Sequence, residues 1–218
     1  LSHQGGKWKR RFISRTWGKI AHDHPEIDLV YLIGRPELKQ PLREGNHLYL
    51  PCQDGYMQLP QKTRWFCLWA LGYTTIPWLF KSDDDTYIRP ERLVEYCKQK
   101  SYEKHWLIGC RGGRGTKANL QGGAGFLLTR HAAMMIAAHC TKLEGAEDRQ
   151  ARYSMQQAGV RFRHCSYFYY RPSVVPLPDN KQITTHRVRV RAWRGIHDQF
   201  EQAGLNDTKT LLSGKFSK

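Results

Sequence analysis

An apolar stretch that ends in three consecutive acids, Trp78-Leu79-Phe80-Lys81-Ser82-Asp83-Asp84-Asp85, constrains this chain more than any other feature. The apolar run calls for burial as a strand inside a layered domain, and the acids call for an edge where water or a cation can meet them. Three adjacent carboxylates repel one another, so a counter-cation at that edge lowers their free energy. Oxygen ligands on a short turn suit Mg or Mn. A solvated acidic turn, or acids capping the helix that follows, is the competing explanation.

The rest of the chain alternates between strand and helix patterns. Apolar spacing predicts helices over 7–22, 59–72, 90–100, 130–139 and 148–158, and strands over 27–34, 47–50, 76–81, 106–109 and 126–128. That alternation predicts an α/β fold with a mainly parallel sheet covered by helices on both faces. In such folds ligands bind beyond the carboxyl ends of the strands, where the acids stand. At 218 residues the chain is read as a single domain over 1–204, with 205–218 a polar, peripheral tail.

Charge is the anomaly. Thirty-five Lys and Arg against nineteen Asp and Glu give a net charge of +16. Residues 187–194 read RVRVRAWR, and on a strand that spacing sets Arg187, Arg189 and Arg191 on one face, a row suited to a polyphosphate backbone. An edge strand protected by its charges is the alternative. The six cysteines form no CxxC pair, which argues against a thiolate metal site, and they are expected to be reduced. No run approaches the roughly 20 apolar residues of a membrane span.

Five blocks of sequence lie in a telling order. They are Arg10-Arg11-Phe12-Ile13-Ser14-Arg15-Thr16-Trp17-Gly18; Asp54-Gly55-Tyr56-Met57-Gln58-Leu59-Pro60-Gln61-Lys62-Thr63; the strand ending in Asp83-Asp84-Asp85; Gly122-Gly123-Ala124-Gly125-Phe126-Leu127-Leu128; and Glu147-Asp148. Together they resemble the Fringe and β-1,3-galactosyltransferase family over about residues 8–160. The chain departs from that pattern at Gln58-Leu59-Pro60, where Asn-Leu-Thr is usual, and at Arg149, where Val is usual. Leu1-Ser2-His3 is similar to the end of the family's first strand, so part of the N-terminus, including the starting methionine, is expected to be missing.

The resemblance implies the GT-A nucleotide-sugar fold, a UDP-sugar donor, and Mn (or Mg) held between the acids and the donor diphosphate. It implies Asp85 and Asp83 as metal contacts, with Asp84 facing the sugar or ribose. A histidine completes the family's metal shell after the last strand; His186 and His197 both qualify, and His186 is preferred because it follows a strand-like stretch. Gly122, Gly123, Lys62 and Arg11 are implied as donor contacts. Asp148, with Glu147 in reserve, is implied as the base that deprotonates the acceptor in inverting transfer; a helix N-terminal acid held by the dipole is the plain alternative.

The acceptor is read from the charge. A hydroxymethylated base such as 5-hydroxymethylcytosine in DNA accounts for the basic balance and RVRVRAWR, and places the enzyme in the cytoplasm of a virus-infected bacterium. The alternative is a Fringe-like transferase acting on glycans or glycoproteins in the Golgi lumen, and a reading of another class is an inactive, basic nucleic-acid-binding module.

Overall fold

The computed structural model describes residues 2, 4–100, 106–112, 119–141, 144–170, 182–187 and 190–202. The chain opens with a short 3-10 turn and two helices, α1 (Lys7–Ser14) and α2 (Trp17–Asp23). A single helix over 7–22 was the expectation, and Thr16 is the reason it breaks. Its hydroxyl donates back to the Phe12 carbonyl at 2.8 Å, a local bond that competes with the helical ladder. The bend brings Gly18 against the Ile13 backbone, where a Cβ would stand 2.6 Å from the carbonyl oxygen, so only glycine fits.

Three strands follow, β1 (Tyr31–Gly34), β2 (Leu42–Glu44) and β3 (His47–Leu50), in the order β1-β3-β2. Of the strand expected over 27–34, only the second half pairs with a neighbour. Helix α3 (Leu59–Tyr73) then leads to β4 (Trp78–Lys81), the acidic turn, β5 (Thr86–Ile88) and α4 (Pro90–Lys98). Strand β6 (Trp106–Gly109) is followed by a ribbon of β7 (Arg111–Gly112) and β8 (Asn119–Leu120), then β9 (Phe126–Thr129) and α5 (Arg130–His139). Helix α6 (Glu147–Gln157), β10 (Arg161–His164), β11 (Phe168–Tyr169), β12 (Thr184–His186) and α7 (Val190–Gln202) complete the described chain.

The architecture is α/β, but the expectation of a mainly parallel sheet needs correction. In the four-stranded sheet β10-β6-β9-β4, only β10 and β6 are parallel. Strand β9 runs antiparallel to both β6 and β4, because the antiparallel β7–β8 ribbon turns the chain back just beyond β6. A third sheet, β11-β12-β5, mixes a parallel and an antiparallel pair.

Alternation along the strands separates two buried faces. Leu79, Leu107, Phe126 and Leu128 join the core under α3, α5 and α6, with Phe66, Trp69 and Ile136. Ile108 and Leu127 point the other way, to Phe168 and Tyr96. Beside them, Tyr87 and Ile88 of β5 pack with Trp17 and with Trp193 of α7.

The row read from RVRVRAWR is not a strand face. Arg187 ends β12 in a turn with φ of 58°, Arg191 lies inside α7, and Arg189 falls outside the described residues. The buried positions here, Trp193 and Ile196, are three apart and belong to a helix, and the period-two arginines stop at its first turn. The tail over 205–218 also lies outside the described residues.

Candidate active site

Strand β4 delivers its acids to a surface where three other segments converge. The 3-10 turn Gly122–Ala124, the start of α6 and the end of β12 all reach this edge. The contacts that join them are polar. Thr86 Oγ1 donates to Gly123 O at 2.7 Å, and the Asp83 amide reaches the same carbonyl at 3.5 Å. Thr184 Oγ1 donates to Ala124 O at 2.6 Å.

One ligand atom from each of Asp83, Asp85 and His186 lies within 4.8 Å of the other two. Asp85 Oδ1 is buried and accepts no hydrogen bond; His186 Nδ1 stands 3.2 Å away, at ion-pair distance but without hydrogen-bond alignment. Thr86 Oγ1 lies 3.0 Å from His186 Nδ1. Because the one hydroxyl proton of Thr86 goes to Gly123 O, the network assigns the imidazole proton to Nδ1 and leaves the lone pair on Nε2. A histidine ring nitrogen, a carboxylate oxygen without a donor and a second carboxylate form a donor set that fits a divalent cation such as Mn. Gly123 is essential to this packing: a Cβ there would stand 2.4 Å from His186 Nε2. Tyr170 stacks on the His186 ring, 5.4 Å between centroids. His197 sits elsewhere, buried in α7 with Nδ1 3.4 Å from Tyr87 Oη.

Electrostatics hold both acids ionised. Burial pushes the Asp83 carboxyl up, but the Lys81 ammonium and His186 outweigh it and bring the pKa down to about 2. For Asp85, burial is again opposed and overcome, here by His186. Lys81 is itself buried. It donates to Asp83 at 3.0 Å and to Glu147 at 2.5 Å, and although burial lowers its pKa, these two carboxylates raise it further.

Glu147 is committed to this network. Its second oxygen accepts from Thr63 Oγ1 at 2.5 Å, and it is only 5% exposed. Asp148 is half-exposed, with Oδ2 3.4 Å from the Gly122 amide and Oδ1 2.8 Å from the Arg149 amide. A Cβ on Gly122 would stand 3.1 Å from Asp148 Cβ, so the glycine turn and α6 touch here.

Asp84 stands apart from the trio. Its oxygens accept from Lys9 Nζ at 2.6 Å and Ser2 Oγ at 3.0 Å, tying the acidic turn to α1. Lys62 is buried, donating to Ser2 O at 2.8 Å and to the Asp54 carboxylate. Arg11 is exposed on α1, while Arg10 donates to Ser2 Oγ at 2.9 Å. Sequence reasoning did not identify Ser2, Lys9, Thr63 or Thr86; no local pattern marks a hydroxyl that bonds a segment many tens of residues away.

Lys81 offers a direct stability test. Lys81→Met leaves Glu147 buried without its cation, and a broken buried pair costs about 3–5 kcal/mol. A urea melt is expected to show that loss, and adding Glu147→Leu to Lys81→Met is expected to recover part of it. Equal midpoints for wild type and Lys81→Met contradict the pairing.

With this geometry in view, the family model for galactosyltransferase matches residues 8–117, which carry α1 through the acidic turn and β6. The chain belongs to the galactosyltransferase family. Among its curated relatives, a hydroxyproline O-galactosyltransferase of Arabidopsis thaliana is 29% identical over 114 residues, covering 46% of this chain and 16% of the relative. The rat (Rattus norvegicus) UDP-GlcNAc:betaGal beta-1,3-N-acetylglucosaminyltransferase 7 is 25% identical over 118 residues, covering 46% of this chain and 30% of the relative. The mouse (Mus musculus) enzyme of the same name is 23% identical over 173 residues, covering 62% of this chain and 44% of the relative. Each alignment thus spans less than half of the relative's length. No helix among the described residues is long and apolar enough to cross a membrane.

Proposed function

We propose that the chain is a GT-A catalytic domain over residues 1–204 that moves a hexose, with inversion, from a UDP-sugar to a hydroxyl of a glycan or glycoprotein. The observation that carries this reading is the meeting of Asp83, Asp85 and His186 beside the Gly122–Asp148 contact, in a member of the galactosyltransferase family. Asp83, Asp85 and His186 would hold Mn or Mg, which would supply Lewis-acid neutralisation of the diphosphate leaving group. The residues of the chain do the rest. Gly122 and Gly123 seat Asp148 and His186 closely against the backbone beside the donor, Lys81 fixes Asp83 and Glu147, and Asp148 takes the acceptor proton. Asp84, Lys62 and Arg10 anchor the N-terminal segment beside the acidic turn, and the exposed Arg11 is left for a donor phosphate.

A glycan acceptor is favoured over DNA. The relatives are named for β-galactosyl and hydroxyproline acceptors. The arginine row that motivated DNA does not lie along one strand. A glycan or glycoprotein acceptor goes with the Golgi lumen rather than a bacterial cytoplasm. The test is an acceptor panel analysed by mass spectrometry. UDP-GlcNAc is paired with a β-galactosyl oligosaccharide, UDP-galactose with a hydroxyproline peptide, and both donors with duplex DNA containing 5-hydroxymethylcytosine. A hexose or N-acetylhexosamine added to a glycan or peptide, and none to DNA, is the expected result; glycosylated nucleosides alone overturn the acceptor assignment.

A further inference from the structure

Strands β6 and β10 lie side by side and parallel, with Ile108 opposite Arg163 and Gly109 opposite His164. The pairing continues one residue further. The Cys165 amide donates to Gly109 O at 2.9 Å, and in a parallel ladder a residue bonded in this way stands opposite the position that follows the acceptor, here Cys110. Neighbouring strands are about 4.8 Å apart, inside the roughly 4.4–6.8 Å between Cα atoms that a disulfide spans. The two side chains also share a face. Ile108, two residues before Cys110, points to Phe168 and Tyr96; Cys165 lies in that same cluster, and Cys110 packs against it. Both sulfurs turn to one segment, the backbone amides of Tyr167 and Phe168 approaching the Cys165 sulfur and that of Tyr170 the Cys110 sulfur. Cys110 and Cys165 are free thiols, the first half-buried and the second buried.

We propose that Cys110 and Cys165 form a redox pair, a modification site at which a reversible disulfide staples the end of β6 to the end of β10. The step is exchange with an external disulfide, small-molecule or protein. The Cys110 thiolate attacks one sulfur of the oxidant and expels the other as a thiolate; the Cys165 thiolate then attacks the Cys110 sulfur of the mixed disulfide and expels the second half. Two protein thiols are oxidised, one external disulfide is reduced to two thiols, and the two protons lost by the protein end on those thiols. Burial raises the pKa of both cysteines, so the half-buried Cys110 is the one an oxidant meets first and the exchange is slow at neutral pH. Closing the bond draws the two Cβ atoms from the strand spacing toward about 3.8 Å, which makes it one of the more easily reduced disulfides. The loop it closes carries the Gly122–Ala124 turn and α6 with Asp148, so the staple ties together the frame of the site without using any residue in it. The inference rests on strand register and is independent of the transfer reaction.

The test incubates the folded full chain with oxidised glutathione until the reaction is complete, with circular dichroism to show that it stays folded. Remaining thiols are then blocked with iodoacetamide in denaturant, and an unreduced proteolytic digest is analysed by mass spectrometry. The expected product is a linked pair of peptides holding Cys110 and Cys165, two hydrogens lighter than the free peptides together and separated again by dithiothreitol. Cys110→Ser, at the half-buried position, is expected to abolish the linked pair and leave Cys165 to be blocked by iodoacetamide. Because the wild-type digest carries the result, a Cys165→Ala protein that fails to fold does not bear on it. Three outcomes overturn the proposal: Cys110 and Cys165 both blocked by iodoacetamide after oxidation, glutathione held on Cys110 without passing to a Cys110–Cys165 link, or either cysteine joined instead to Cys97 of the same cluster.

Discussion

Asp85→Asn is expected to lower the rate of sugar transfer by more than about 100-fold while leaving the fold intact. Changing groups that merely support a metal ligand costs about 10–100-fold in metal affinity or activity, so removing a ligand's own charge exceeds that. The fold survives for a local reason. Asp85 Oδ1 accepts no hydrogen bond, and it stands close to the ionised Asp83, so neutralising it orphans no buried donor and relieves a like-charge contact. Transfer assays at saturating Mn, with a thermal melt on the same sample, separate the two effects. An Asp85→Asn protein with undiminished transfer that ignores EDTA contradicts the assignment.

Asp148→Asn is expected to reduce kcat by about 100-fold or more, the range lost with a general base, with little change in the KM for the donor. Asparagine keeps the shape and still accepts from the Arg149 amide through its one oxygen, giving up only the long 3.4 Å contact from the Gly122 amide, but it cannot take a proton. Glu147 gives the contrast. Its oxygens are bonded to Lys81 and Thr63 inside the protein, so Glu147→Gln is expected to lower the melting temperature through the weakened ion pair. If Glu147→Gln loses turnover with an unchanged melt while Asp148→Asn keeps it, the roles are reversed.

How far the site could be read from sequence follows from the range of the interactions. The acidic turn is local: an apolar strand and three acids in one short stretch already specify a buried strand with charge at its end. His186 lies about 100 residues from Asp85, and its preference over His197 rested on a four-residue strand pattern; here it meets the acids through Thr86. Thr86 and Gly123 became legible only as partners of one another. The arginine row was misread because period-two charges outweighed a buried Trp193 and Ile196 at helical spacing. Sheet direction was missed for a different reason. A short ribbon such as β7–β8 reverses the chain, and its residues carry no more strand signal than a loop rich in glycine and arginine.

The central claim is that Asp83, Asp85 and His186 hold a divalent cation, and Mn binding measured by electron paramagnetic resonance in the presence of UDP tests it most directly. The wild-type chain is expected to bind one Mn per molecule. Asp85→Asn and His186→Ala are each expected to weaken that binding by about tenfold or more, while Asp84→Asn, whose carboxylate is engaged by Lys9 and Ser2, leaves it nearly unchanged. Unaltered binding in Asp85→Asn and His186→Ala, or a loss confined to Asp84→Asn, contradicts the account.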